Sequence, residues 1–196
     1  MRHDVPVSKA EVRARIRAAR RARSDQARQD AAVALAQHVS ALLPREPGTV
    51  SAYLSLPTEP GTGPLIAAAR ATGHTLVVPR IADGRLDWVP LTADAALATG
   101  PMGISEPVGD TMPEGALAGV NVVLLPGLAV DTAGIRLGQG GGYYDSALAS
   151  VPPHADGGPL RVVVLFDDEV VDQVPSEPHD CRVDVALTPS GIVALG

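Results

Sequence analysis

A glycine-rich segment between residues 134 and 145 carries the side chains best suited to chemistry. Its glycines are Gly134, Gly138, Gly140, Gly141 and Gly142. Glycine has no Cβ, so the backbone can come close to a ligand, and free amides at the start of a helix attract an anion. Arg136 can hold phosphate oxygens with its forked guanidinium, and Asp145 offers the hard oxygen ligand that Mg²⁺ requires. The segment therefore predicts a phosphate-binding loop, and it leaves a metal ion beside Asp145 as an open alternative.

Simpler interpretations of the same loop stay open on the residues alone. Glycine-rich loops are frequently plain turns, Asp145 could serve as a partner of the helix dipole, and Arg136 could pair with an acidic neighbour. A Walker A loop is excluded, because no Lys-Ser or Lys-Thr follows the glycines. The dinucleotide-binding pattern also fits poorly, since the glycines lie about a dozen residues beyond the preceding apolar run.

The apolar pattern predicts the elements that must position this loop. Ser8 and Glu11 have the form of a capping box, and helical spacing continues to about residue 43 with a break at Ser24-Asp25. Strands are predicted over 49–56, 75–78, 120–125, 160–166 and 183–187, with a weaker strand from a side hairpin over 85–90. Helices are predicted over 64–71 and 143–150.

Alternation of continuous apolar strands with helices indicates an α/β fold. The expected architecture is a mostly parallel sheet flanked by helices on both faces, Rossmann-like in its three layers, with an N-terminal helical arm. The length of 196 residues and 45% hydrophobic content fit a single domain over 1–196. Ligands bind outside the carboxyl ends of such strands, so the loops after residues 56, 78, 125 and 166 should meet at one edge.

Charge and cysteine content limit the partners and the compartment. Residues 1–45 hold ten Lys and Arg against four Asp and Glu, although the whole chain has a net charge of −6. A basic arm on an acidic body suits one polyanionic small ligand better than a nucleic acid, which the body would repel. The single cysteine, the absence of an apolar leader and the absence of a long apolar run predict a cytoplasmic protein without membrane contact. We also expect a monomer.

Residues 136–145, RLGQGGGYYD, resemble the RLGxGxGYYD motif of the 5-formyltetrahydrofolate cyclo-ligase (5,10-methenyltetrahydrofolate synthetase) family. Lys9 and Arg13 match the early Lys-x-x-x-Arg of the family's first helix. Further segments similar to the family, in the right order, are 53–59, 102–107 and 175–180. Gln139 departs from the pattern, since a larger aromatic or basic residue is common there, and this departure bears on the folate contacts rather than on the reaction.

The resemblance implies an ATP- and Mg²⁺-dependent conversion of 5-formyltetrahydrofolate to 5,10-methenyltetrahydrofolate, with release of ADP and phosphate. Phosphorylation of the formyl oxygen would precede attack by N10, with Arg136 and Asp145 as catalytic residues and Asp145 and Asp180 as metal ligands. The implied ATP contacts are Lys9, Arg13, Arg136, Leu137, Gly138, Gln139, Gly140, Gly141, Gly142, Tyr143 and Tyr144. The implied folate contacts are Leu54, Glu59, Gln139, Gly140, Gly141, Gly142 and Tyr143.

Residue types alone leave several roles open. Lys9 and Arg13 lie on one helix face, and without the family resemblance this face would be expected to be exposed to solvent. A solvated helix face remains the expectation for Arg15, Arg17, Arg20, Arg21 and Arg23. Glu59 would be a surface charge without the family, and Cys181 a small packing residue. Trp88 could pack in the core or stack on folate, and His179 is unassigned. Rival functions are another ATP-dependent kinase or ligase, a non-catalytic folate-binding protein and a nucleic-acid-binding module.

Overall fold

The N-terminal arm consists of two helices. The computed structural model describes residues 8–100, 103, 105–113, 115–177 and 180–196, and within them the arm comprises α1 (Lys9–Ala22) and α2 (Asp25–Val39). The predicted capping box is confirmed: the Ser8 side chain accepts the amide of Glu11, and the Glu11 carboxylate accepts the Ser8 amide at 2.8 Å. Ser24 caps α2, which ends before the predicted limit.

The other α-helices in the described part of the chain are α3 (Gly63–Ala71) and α4 (Tyr143–Leu148). In chain order the strands are β1 (Thr49–Ser51), β2 (Thr75–Ala82), β3 (Arg85–Pro90), β4 (Leu97–Thr99), β5 (Ser105–Pro107), β6 (Val122–Pro126), β7 (Ala129–Asp131), β8 (Arg136–Leu137), β9 (Leu160–Val164), β10 (Val170–Val171), β11 (Val185–Thr188) and β12 (Gly191–Ala194). The main sheet has the order β12-β11-β9-β6-β1-β2-β3. Its five inner strands are parallel and its two edge strands antiparallel.

Helices cover both faces of the sheet. Because successive strand residues point to opposite faces, Val122 and Leu124 pack in the cluster that holds Leu35 of α2 and Leu65 of α3. Residues 123 and 125 point to the other face and pack in the cluster that holds Leu148 of α4. The predicted fold class, a mostly parallel sheet between helical layers, is confirmed. No helix in the described ranges is long and apolar enough to cross a membrane.

Two strand predictions were wrong in their bounds. The strand expected over 49–56 ends at Ser51, and the chain then turns toward the carboxyl edge of the sheet. The strand expected to end at Val78 continues through Pro79 to Ala82 and pairs antiparallel with β3, the edge strand of the main sheet. β3 has the predicted bounds, 85–90, and forms a hairpin with β2. Pro79 is tolerated because its amide position faces the side on which β1 has already ended.

Short pairings at the sheet edge escaped the sequence pattern. β7, β8 and β10 form a small second sheet, β4 and β5 form a hairpin, and β12 follows what was predicted to be the last strand. The turn before β8 is fixed by Asp131, whose Oδ1 accepts the amides of Ala133 and Ile135 at 3.0 and 2.9 Å. This turn fixes where β8, and therefore Arg136, enters the carboxyl edge of the main sheet.

Candidate active site

A cleft of about 660 Å³ opens at the carboxyl edge of the sheet, between α1, the loop after β1 and the glycine-rich loop. The residues predicted to contact ligand or metal all line it: Lys9, Arg13, Leu54, Glu59, Arg136, Leu137, Gly138, Gln139, Gly140, Gly141, Gly142, Tyr143, Tyr144, Asp145 and Asp180. The structure thus brings together four separate stretches of sequence. The roles assigned to these residues stay predictions.

The glycine-rich loop connects β8 to α4 across the floor of the cleft. Gly140 and Gly142 have φ values of 108° and 68°, a region that favours glycine. Gly142 is the residue that caps α4, so the first helical turn begins with Tyr143 beside the cleft. A Cβ on Gly140 would lie 3.5 Å from Cζ of Arg13, so the arm lies directly against the loop.

Arg136 and Asp145 form a partly buried ion pair under this loop. Arg136 is 5% exposed, donates from Nη2 to Asp145 Oδ1 at 2.9 Å and donates from Nη1 to the carbonyl of Pro126 at 3.1 Å. Its Cζ lies 6.0 Å from the ring centroid of Tyr144. Asp145 Oδ1 also accepts the amide of Cys181 at 3.3 Å. The guanidinium is therefore held in one orientation at the wall of the cleft.

The arm brings two cations to the same cleft. Lys9 Nζ lies 2.8 Å from Asp180 Oδ2 and 2.7 Å from Glu177 Oε2. Arg13 Nε, one helical turn further on, donates to the carbonyl of Gly138 at 3.0 Å. Burial lowers the pKa of Lys9, but its hydrogen bonds to Asp180 and Glu177 hold that pKa above the ordinary value. Lys9 therefore carries its positive charge throughout the neutral pH range.

The opposite wall of the cleft carries a buried carboxylate. Glu59 is 6% exposed, although its residue type alone indicated a surface charge. Its Oε2 accepts the amide of Leu56 at 2.9 Å, and its Oε1 accepts from Gln139 Nε2 at 3.4 Å. Tyr53 lies beside it and is buried; burial, followed by the charge of Glu59, raises the pKa of its hydroxyl well above the usual range. This wall is apolar apart from a few placed polar groups, which is typical of a pocket for an aromatic ligand.

Several residues that line or border the cleft were not predicted. Arg17 is exposed, as predicted, and it also lines the cleft and donates to the Gln139 side chain and carbonyl at 2.9 Å each. Arg20 is 1% exposed, so its assignment to a solvated face was wrong. The spacing of Val12, Ile16 and Arg20 by four residues is the signal that could have placed Arg20 on the buried face. Glu106 also lines the cleft, and its Oε1 accepts the amide of Ile81 at 2.9 Å.

The remaining open assignments are settled in part. Trp88 is buried and packs edge-on against Tyr144, with ring centroids 6.2 Å apart, so of its two alternatives the core role applies. Cys181 is half-buried, and burial followed by the charge of Asp145 raises the pKa of its thiol. His179 and Met102 lie outside the described residues. Among the residues that the structure describes, no cluster of three or more acidic, histidine or cysteine side chains forms a metal site by itself.

Comparison with known proteins agrees with this site. The 5-formyltetrahydrofolate cyclo-ligase family matches residues 5–189. The 5-formyltetrahydrofolate cyclo-ligase of Mycolicibacterium smegmatis is 34% identical over 198 residues, covering 97% of this chain and 98% of that protein. The mouse protein of the same name is 32% identical over 145 residues, covering 70% of this chain and 71% of that one.

A solved structure shares the fold as well. The NMR structure of Aquifex aeolicus 5,10-methenyltetrahydrofolate synthetase superposes with a TM-score of 0.79 at 27% identity, covering 95% of this chain and 92% of that one. The fold and the comparisons define an α/β enzyme of the ligase class. The chain belongs to the 5-formyltetrahydrofolate cyclo-ligase family, and the family membership indicated by the sequence motifs is confirmed.

Proposed function

We propose that the enzyme converts 5-formyltetrahydrofolate and ATP to 5,10-methenyltetrahydrofolate, ADP and phosphate in this cleft, with Mg²⁺ as cofactor. One observation carries the proposal: the Arg136–Asp145 pair, the arm cations and the buried Glu59 all line one cavity. A cavity with a cationic wall and a largely apolar wall suits a polyphosphate beside a flat aromatic ligand. A cytoplasmic monomer that does not bind nucleic acid remains a prediction from the sequence.

The phosphate tail of ATP would lie on the glycine-rich loop. Arg13 already contacts the loop at Gly138, and Lys9 and Arg136 supply positive charge from the arm and from the floor of the cleft. Phosphoryl transfer depends mainly on positioning and on neutralising charge that spreads over the transferred group. This requirement explains why the cleft holds fixed cations and needs no side-chain nucleophile.

The carboxylates at the phosphate end fit a magnesium ion. Asp145 and Asp180 both line the cleft, and in the described part of the chain the hydrogen bonds of the Asp145 side chain fall on Oδ1 alone. Asp180 accepts hydrogen bonds from Lys9 at both oxygens, which places it at the same end of the cleft as the arm cations. Mg²⁺ is commonly held by one or two carboxylates and completes its shell with water and nucleotide phosphates. We propose that Asp145 and Asp180 hold the ion, which when bound neutralises charge on the phosphates.

The folate would lie against Leu54 and Glu59. Glu59 accepts hydrogen bonds from the amide of Leu56 and from the Gln139 side chain. A buried carboxylate can accept hydrogen bonds from the amino and amide groups of a pterin ring. Backbone groups from Gln139 to Tyr143 would contact both ligands, which places the formyl group near the terminal phosphate.

The proposed reaction has two chemical steps. The formyl oxygen attacks the terminal phosphorus of ATP and ADP leaves, which converts a poor leaving group into a phosphate ester. N10 then forms a bond to the formyl carbon and loses its proton, and the carbon–oxygen bond breaks as phosphate departs. Arg136 and Lys9 bind and orient the transferred group, and the cleft holds N10 close to the formyl carbon.

An absorbance assay tests this function. Protein, 5-formyltetrahydrofolate, ATP and Mg²⁺ should together produce the methenyltetrahydrofolate absorbance, and omission of ATP or addition of a chelator should stop it. ATP turnover independent of folate would favour another kinase or ligase. Tight folate binding without product would favour a folate-binding protein, and strongly salt-dependent binding to RNA would favour the nucleic-acid module.

Replacing Lys9 by methionine should weaken ATP binding selectively. The change removes a positive charge and leaves Asp180 and Glu177 facing the phosphates without their lysine. Hydrogen bonds between charged groups are worth about 1.5–3 kcal/mol, so the KM for ATP should rise roughly tenfold or more. The KM for 5-formyltetrahydrofolate should change little in the same steady-state assay. Arg15→Met is the control, since Arg15 is exposed and outside the cleft; equal KM values for the two variants would contradict the role of Lys9.

Replacing Glu59 by glutamine should affect the other substrate. Glutamine keeps the size of the side chain and can still accept the Leu56 amide, but it loses the charge that pairs with pterin donors. We expect the KM for 5-formyltetrahydrofolate to rise about tenfold and the KM for ATP to stay within error. The exposed Glu46→Gln is the matched control. A rise in the KM for ATP with no change in the KM for 5-formyltetrahydrofolate would contradict the assignment of Glu59 to the folate.

A further inference from the structure

The buried face of α1 ends in an arginine rather than an apolar residue. Val12, Ile16 and Arg20 follow one another at intervals of four, and the first two pack against Leu128 and Leu137 below the cleft. Arg20 is 1% exposed, so its guanidinium lies inside the protein and not in solvent. An arginine at this depth requires fixed partners, because an unpaired buried charge is strongly unfavourable.

Those partners hold Arg20 at three points. Nε donates to Glu169 Oε1 at 2.7 Å and Nη2 donates to Glu169 Oε2 at 2.7 Å, which is a parallel two-bond fork. Nη2 also donates to the carbonyl of Gly127 at 2.6 Å. Glu169 is 1% exposed and is itself fixed by the amide of Phe166 at 3.0 Å. Burial lowers the pKa of Arg20, but its hydrogen bonds to Glu169 hold that pKa above its ordinary value, so Arg20 keeps its charge; burial also raises the pKa of the Glu169 carboxyl.

Arg20 is anchored beside the carbonyl that holds Arg136, the proposed catalytic arginine. Gly127 directly follows β6, and the carbonyl just before it, that of Pro126, accepts from Arg136 Nη1 at 3.1 Å. Two consecutive carbonyls at the carboxyl end of one strand therefore hold one arginine from the arm and one from the floor of the cleft. A change at Arg20 acts on the arm and on the peptide that orients Arg136.

We propose, on the basis of the ATP site proposed above, that Arg20 and Glu169 are positioning residues for ATP. Their fork fixes the rotation and depth of α1, so that Lys9 and Arg13 point to the phosphates, and it steadies the Pro126–Gly127 carbonyls below Arg136. The position of Arg20 is transmitted to the cleft through the rigid helix, because Lys9, Arg13 and Arg17 lie on one face of the same α1 that Arg20 anchors.

A purely structural pair would behave differently when replaced by apolar residues. Buried ion pairs can commonly be exchanged for well-packed hydrophobic side chains of similar volume without loss of stability. The two parallel hydrogen bonds of the fork also fix the orientation of α1, and two apolar side chains cannot reproduce that directional restraint. The double substitution Arg20→Met/Glu169→Met therefore separates stability from positioning.

The test compares thermal unfolding and ATP binding by calorimetry for the wild type, the double variant and a control. The control is Arg23→Met/Asp168→Met, a partly exposed ion pair that joins the residue capping the C-terminus of α1 to the same turn. We expect the Arg20/Glu169 double variant to unfold near the wild-type temperature but to bind ATP about tenfold more weakly. The control should bind ATP as the wild type does.

Wild-type ATP affinity in the folded double variant would overturn this inference and leave the proposed function standing. A wild type that binds no ATP would overturn both. If the double variant does not fold, Arg20→Lys decides, because lysine keeps the charge but cannot form the fork. About tenfold weaker ATP binding by folded Arg20→Lys would support the positioning role, and unchanged binding would refute it.

Discussion

Replacing Arg136 by lysine is expected to lower kcat/KM by about 10³-fold, in the range measured for arginines that stabilise phosphoryl transfer. Lysine keeps the charge but cannot reach Asp145 and the Pro126 carbonyl together, as the two Nη atoms do now. The cation would no longer be fixed where the terminal phosphate must lie. The loss should appear mainly in kcat, because charge develops on the phosphoryl group in the transition state.

Steady-state kinetics of methenyltetrahydrofolate formation measure this effect, with Arg182→Lys as the control. Arg182 donates to the carbonyl of Ala133 at 3.1 Å, close in the fold but outside the cleft. The control should retain nearly full activity and the Arg136 variant should keep its circular dichroism spectrum. An active Arg136→Lys enzyme would remove Arg136 from the catalytic machinery.

Replacing Asp145 by asparagine is expected to lower kcat by about 10²-fold or more, because two charge-based interactions disappear together. The amide cannot neutralise the buried guanidinium of Arg136, and it is a poor ligand for Mg²⁺ compared with a carboxylate. Asparagine matches aspartate in size, so packing against Cys181 should survive. The loss is therefore chemical rather than architectural.

A magnesium titration distinguishes the two contributions. If Asp145 holds the ion, the variant should require more Mg²⁺ for half-maximal rate, and excess Mg²⁺ should restore part of the activity. Asp156→Asn, a substitution at an exposed position outside the cleft, should leave the Mg²⁺ requirement unchanged. An Asp145 variant with the wild-type Mg²⁺ requirement but low kcat would assign Asp145 only to orienting Arg136.

Much of the fold follows from local pattern, and its exceptions have local causes. The buried parallel strands β6 and β9 are continuous apolar runs, which sequence alone identifies. β2 was predicted too short, because proline is usually excluded from strands. The sequence does not show that the pairing of β1 with β2 ends at Val77, so that the Pro79 nitrogen faces no partner strand. Short strands such as β8 have too few residues to display a period.

The candidate site was also predictable from the sequence only in part. The glycine-rich loop and its Arg136 and Asp145 were identified by residue type and motif, and the structure places them in one cleft. Arg20 was wrongly assigned to a solvated face, and Glu59 was placed at the site by the family resemblance alone, because burial of a charged side chain depends on partners that are distant in sequence. Glu169 lies 149 residues from Arg20, and Gln139 lies 80 residues from Glu59. Sequence spacing within one helix cannot reveal such partners.

The fate of the formyl oxygen tests the central claim most directly. 5-Formyltetrahydrofolate labelled with ¹⁸O in the formyl group would be converted with MgATP, and the released phosphate analysed by mass spectrometry. Phosphorylation of the formyl oxygen predicts that the label appears in phosphate, with one ADP formed for each methenyltetrahydrofolate. Label found in water, with unlabelled phosphate, would contradict the account.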